Sequence, residues 1–254
     1  MTTTGDIYRF LDDFAPFRTA MEYDNVGLLV GDSDTAVHNV LMSLDITSLV
    51  VREAAENHAE LIISHHPVIF NPIKSLATTD IPYLLAKSNI AAICSHTNLD
   101  MAQGGVNTCL AERLQLTDVQ MLKEHNGLSE GLIGKLSREY TPQDFAAFVK
   151  SELHCGGLKY VDGGRPIQTV GLCGGAGADL LCDAAALGAD AFVTADTKHH
   201  ELIQAAQLGV TLVDAGHFNT EDVVILPLLN MLANQFPNVT FQKSQQMYDP
   251  VKYL

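Results

Sequence analysis

The chain has 254 residues, enough for one large or two small domains with an ample core. Hydrophobic residues make up 47% and charged residues 18%, which excludes long disordered tails. The net charge of −15 disfavours direct nucleic-acid binding, because an acidic surface repels phosphate backbones.

Apolar strand-like runs alternate with helix-like runs along most of the chain, which predicts βαβ units and largely parallel sheets. A short helix is expected over 5–14, then a loop and an apolar stretch over 21–31. Strands follow at 40–44, 61–64 and 91–95, with helices over 47–58 and 81–88 between them. The segment 124–165 is rich in glycine and reads as the connection between two lobes, with a helix over 141–153 capped by Thr141 or Asp144. Strands then recur at 169–173, 191–194 and 210–213, with helices over 178–187 and 201–208.

Both halves read strand, helix, strand, His-His, helix, strand, His and a carboxylate, which predicts an internal duplication. The expected organisation is a first α/β lobe at 1–123 and a second at 124–254, with the C-terminal segment able to pack back on the first. The N-terminal segment is polar and sets Asp12 and Asp13 into an apolar pattern, unlike a secretory leader. No apolar run is long enough to cross a bilayer, so no membrane partner is expected. Five cysteines form no C-x-x-C spacing and read as reduced thiols, which makes the cytoplasm the expected location.

In open parallel sheets ligands bind beyond the carboxyl ends of the strands. His65, His66, His96, His199, His200 and His217 all follow predicted strands there, and Asp100 and Glu221 follow His96 and His217 by four residues each. Imidazole and carboxylate are the usual nitrogen and oxygen ligands of borderline divalent metals. A helix beginning near Asn219 or Thr220 would aim His217 and Glu221 at one point. His65 and His66 can serve one site only if their strand has ended, which Pro67 favours.

Other features leave alternatives open. Gly174-Gly175-Ala176-Gly177 is either a phosphate cradle or a tight strand-to-helix turn. Lys198 is either a phosphate contact or a surface lysine, and Asp24-Asn25-x-Gly27 reads as a turn.

Five motifs in order carry a family likeness: Tyr23-Asp24-Asn25-Val26-Gly27-Leu28, Ser64-His65-His66-Pro67, His96-Thr97-Asn98-Leu99-Asp100, Thr194-Ala195-Asp196-Thr197-Lys198-His199-His200 and Gly216-His217-x-x-x-Glu221. Over nearly its whole length the chain resembles the GTP cyclohydrolase I type 2 homologues, the Nif-three-like family, in its short bacterial form. The resemblance implies two α/β lobes with a dinuclear metal centre in the cleft between them. It implies His65, His66, Asp100, His217 and Glu221 as ligands of two divalent ions (Zn, Mn, Fe, Ni or Mg), with Glu221 a bridge. It also implies a toroidal homohexamer. Two positions depart from the family pattern: Tyr23 stands where tryptophan is frequent, and Ala195 replaces a glycine.

Two functions follow from these expectations. One is a metal-dependent hydrolase of a purine nucleotide, in which water attacks C8 of GTP, opens the imidazole ring and leads to formate release. His96 and His200 would then move protons and Lys198 would hold the triphosphate. The other is a non-catalytic metal-binding or regulatory protein that acts through protein partners.

Overall fold

The computed structural model describes residues 1–254. Eleven strands, numbered in chain order, are β1 (Gly27–Val30), β2 (Asn39–Ser43), β3 (Leu61–Ser64), β4 (Ala91–Cys94), β5 (Thr117–His125), β6 (Leu128–Tyr140), β7 (Lys159–Val161), β8 (Ile167–Leu172), β9 (Ala191–Thr194), β10 (Thr211–Asp214) and β11 (Thr240–Lys243). No helix is long and apolar enough to cross a membrane.

Backbone contacts divide the chain into two compact units. The first is Met1–Leu99 with Ile225–Tyr248, and the second is Asp100–Val224 with Asp249–Leu254. The composition shift at 124–165 therefore does not mark the division. Residues 100–123 belong to the second unit, because β5 pairs with β6 there. Residues 225–248 belong to the first, because β11 pairs with β2.

The first unit is built on a five-stranded sheet in the order β1-β4-β3-β2-β11. β2, β3 and β4 run parallel, with Val40 opposite Leu61 and Leu61 opposite Ala91. Every residue of β3 and β4 is buried, as expected of strands covered on both faces. The helix Ser48–Glu56 presents Val50, Val51 and Ala54 to one face, where they meet Leu41, Ile62 and Leu85. The N-terminal helix Thr4–Phe14 starts one residue before the expected position. Its capping box pairs Thr3 with Asp6. After β11 the chain is pinned by Glu53, whose carboxylate accepts from the Gln245 and Gln246 amides and from Ser244.

The second unit is built on a six-stranded sheet in the order β5-β6-β8-β9-β10-β7. β8, β9 and β10 run parallel. One face packs around Phe145, Val149, Leu110 and Val170, and the other around Phe192, Leu181, Ala184 and Leu212. Part of the expected connection at 124–165 is a β-hairpin, with Asn126 and Gly127 at its turn at φ 51° and 81°. Positive φ at two successive residues matches a type I′ turn, for which Asn-Gly is the favoured pair. The helix Pro142–Glu152 is capped by Thr141, whose hydroxyl accepts from the Asp144 amide.

The two units share a design. In each, three parallel strands lie in chain order, and the strand preceding them in sequence closes the edge antiparallel, as β1-β4-β3-β2 and β7-β10-β9-β8. The likeness extends to side chains. Glu60, just before β3, accepts from the His38 and Asn39 amides; Asp190, just before β9, accepts from the Gln168 and Thr169 amides. Register also corrects one expected correspondence. Ser64 ends β3 as Thr194 ends β9, so His65 and His66 correspond to Ala195 and Asp196, not to His199 and His200.

Candidate metal centre

In the first unit the histidines sit just past the strand ends. β3 stops at Ser64, and the His65 and His66 amides donate to the carbonyls of Ser43 and Leu44. This places both side chains beside His96, which follows β4. Ring centroids are 4.9 Å apart for His65 and His66, 5.1 Å for His65 and His96, and 5.5 Å for His66 and His96. One nitrogen of each ring lies within 4.8 Å of the others.

Each ring is oriented from behind. His65 Nδ1 lies 3.0 Å from the Ser95 carbonyl, His66 Nδ1 lies 2.9 Å from Asp45 Oδ1, and His96 Nδ1 lies 2.9 Å from Asp24 Oδ1. Asp24 is fully buried and also accepts from the Thr97 amide and hydroxyl. Burial alone would raise its pKa, but the bonds from His96 and Thr97 outweigh it and hold the carboxyl at about 2.

In the second unit the ligand candidates centre on Glu221. The helix His217–Glu221 begins at His217, two residues before the expected start, so the pair spans one full turn. His217 Nε2 lies 3.0 Å from Glu221 Oε1, and His217 Nδ1 lies 2.7 Å from Asp196 Oδ2. Asp100 brings a carboxylate oxygen within 4.8 Å of one from Glu221. Asp196 adopts φ 53°, a left-handed conformation that aspartate tolerates better than most residues. The replacement at Ala195 is harmless by comparison, since its φ is not positive.

The glycine run is a turn, not a phosphate cradle. Its three glycine amides are occupied: Gly174 donates to Asn107 Oδ1, Gly175 to Thr220 Oγ1 and Gly177 to Thr194 Oγ1. Gly175 has φ +59°, and a Cβ there would collide with Glu221 Oε1. The turn thus closes against the Glu221 carboxylate. Burial pushes the neighbouring Cys173 thiol well up, and the charges of Asp100 and Glu221 add to this.

Lys198 and His200 lie at the start of the helix His199–Leu208, and both side chains are 73% exposed. They face Glu201 Oε1 at 4.0 Å and 3.8 Å. Three positioning residues escaped the sequence reading: Asp24, Asp45 and Asp196. Asp24 and Asp196 stood inside the family motifs, but neither was given a role, and by its own local sequence Asp24 read as a turn. Asp45 lies two residues past β2 and Asp196 two past β9, so the strand-end rule that finds the histidines also finds these carboxylates.

The donor set fits a divalent cation. All four histidines engage Nδ1 with a carbonyl or carboxylate, which fixes the tautomer and turns Nε2 away from that partner. Metal-ligating histidines almost always show this pattern. A buried carboxylate, Glu221, supplies the harder ligand.

The chain is similar to known proteins over its full length. A "GTP cyclohydrolase 1 type 2 homolog" of Clostridium perfringens is 32% identical over 259 residues, covering 98% of this chain and 99% of the relative. A crystal structure of a Staphylococcus aureus hypothetical protein matches with a TM-score of 0.93 at 31% identity, covering 99% of each chain. A Bacillus cereus protein related to NIF3 matches with a TM-score of 0.91 at 25% identity, covering 100% of this chain and 99% of that one. The family model Duf34/NIF3 (NGG1p interacting factor 3) matches residues 2–250, and the chain belongs to that family.

Proposed function

We propose that the protein is a metal-dependent hydrolase of a purine nucleotide, in which His65, His66, Asp100, His217 and Glu221 hold two divalent ions. The observation that carries this reading is the anchoring of four histidines through Nδ1, three of them by the carboxylates of Asp24, Asp45 and Asp196. Such a scaffold suits Zn, Mn, Fe, Ni or Mg with different strengths. When bound, two ions lower the pKa of a water and stabilise charge on the attacked carbon.

The chain's own residues divide the remaining work. Glu221 is held by the Gly175 turn and would serve as the bridging carboxylate that the family resemblance implies. His96, fixed by Asp24, stands beside His65 and His66 and moves a proton at the reacting centre. Lys198 and His200 are exposed, free to swing toward a substrate, and engage its phosphates and leaving group. The relatives' shared name supplies the substrate class, and attack at C8 of the guanine ring is the reaction we assign. The toroidal homohexamer that the family resemblance implies completes the reading, and light scattering on the purified protein checks for a mass of six chains.

Metal content per chain, after purification without added metal, tests the reading in wild type and Glu221→Ala. About two ions in wild type and a clear loss in the variant are expected. The reconstituted enzyme should then convert GTP with release of formate. Retained metal without turnover of any nucleotide would replace the hydrolase by a metal-binding protein that works through partners.

A further inference from the structure

Tyr23 and Phe70 are exposed aromatic residues, at 68% and 45%. Their ring centroids lie 6.4 Å apart with a 49° tilt. Both residues lie outside helices and strands, and hydrogen bonds of their neighbours tie the two segments down. Asp24, next to Tyr23, is bound to His96 and to Thr97. Asn25 Nδ2 donates to the Ile69 carbonyl at 2.5 Å, which clips the Tyr23 segment to the Phe70 segment. The Phe70 segment itself leaves directly from His66 and Pro67. Along the chain, Tyr23 is thus one residue from the anchor Asp24 and Phe70 four residues from His66.

Phe70 also borders a cleft of about 420 Å³, with Ile73, Leu76 and Asp80 among its walls. That size falls within the ~300–1,000 Å³ of small-molecule sites. Ile73 and Leu76 are themselves about half exposed, at 47% and 51%. An exposed apolar patch of this kind marks an interaction surface. Paired aromatic rings select a planar, π-faced ligand over an aliphatic one.

We infer that Tyr23 and Phe70 form a ring-binding subsite beside His65, His66 and His96, which takes the planar heteroaromatic part of the substrate. This rests on the hydrolase reading for the identity of the ring, a purine, but not for the existence of the subsite. Tyr23 and Phe70 are positioning residues, since they hold the ring and take no part in proton transfer.

The chain contains no tryptophan, so Tyr23→Trp introduces a single indole reporter. Its emission is titrated with guanosine 5′-monophosphate and with ribose 5-phosphate, in metal-free and metal-loaded protein. Saturable quenching by the nucleotide and none by ribose 5-phosphate is expected. Adding Phe70→Ala should weaken the apparent affinity about tenfold, the scale of one lost aromatic stack. Phe70→Leu keeps the volume without the π face and should behave alike, which guards against a misfolded alanine variant. No saturable quenching, or quenching indifferent to both Phe70 variants, overturns the subsite. So does an emission shift driven by protein concentration alone, which would assign the rings to a second copy of the chain. Binding is read without turnover, so an inactive enzyme that still quenches sinks the hydrolase and keeps the subsite.

Discussion

His217 Nε2 and Glu221 Oε1 stand 3.0 Å apart across one helical turn, and the Gly175 turn packs directly on the carboxylate. The imidazole is held from its other side by Asp196 at 2.7 Å. A short helix, a left-handed aspartate and a glycine at φ +59° thus define one group of candidate ligands.

That packing makes Gly175→Ala disruptive. The new Cβ meets the Glu221 carboxylate, and the positive φ adds strain. We expect a loss of at least ~1 kcal/mol in urea unfolding together with reduced metal content. Gly127→Ala is the control, since its φ is +81° but nothing lies within 4 Å of the added atom. It should lower stability and leave metal content intact. Equal metal content in both variants would refute the role of the Gly175 turn.

The carboxylates behind the histidines should set metal affinity. Asp45 and Asp196 have exposed side chains, at 57% and 59%, so removing them spares the core. Asp45→Ala and Asp196→Ala should each weaken metal binding about 10–100-fold. Competition against a chromophoric chelator measures this, and wild-type affinity in both variants would contradict it.

Asp214 should contribute to stability in a pH-dependent way. Burial would raise its pKa, but the Thr197 amide and hydroxyl and the Lys159 ammonium lower it on balance. A carboxyl with a depressed folded pKa stabilises fully above its unfolded value of ~3.9. The contribution fades as the pH falls toward the folded pKa. Asp214→Asn should therefore cost ~1.5–3 kcal/mol at pH 7 and less at pH 3, measured by urea unfolding. A cost that grows in acid would reverse the sign and reject the assignment.

Lys198 and His200 should separate binding from chemistry. Lys198→Ala should raise KM for GTP about tenfold, with a smaller change for guanosine, because a phosphate contact is lost. His200→Ala should lower kcat by ~10² with KM nearly unchanged. Neither should alter metal content, as both side chains are exposed and paired only with Glu201. Identical losses for GTP and guanosine in Lys198→Ala would remove the phosphate role.

Periodicity located the parallel strands closely: 61–64 and 191–194 agree with β3 and β9 to the residue. These are continuous buried apolar runs, and burial on both faces is a local signal. β5 and β6 escaped it, although Asn126-Gly127 is a strong hairpin signal, because the surrounding glycines read as a linker. Glycine marks a hairpin turn and a loop alike, and only the pairing partner decides between them. The strands β7 and β11 are three and four residues long and lie at sheet edges, where few apolar positions betray them, while β1 was legible only as an apolar stretch.

By itself the sequence determined the repeated α/β pattern and the family, and it placed the histidines past the strand ends. Those properties depend on residue type and spacing along one segment at a time. The tertiary structure decided what stands behind the histidines. Asp24 meets His96 across 72 positions, and Asp45 and Asp196 each reach their histidine across 21. It also decided that the glycine run serves Glu221 rather than a phosphate, because its three glycine amides are taken by Asn107, Thr220 and Thr194. Hydrogen bonds between distant segments leave no period in the sequence, since each partner is chosen by the packing of the sheets that carry it.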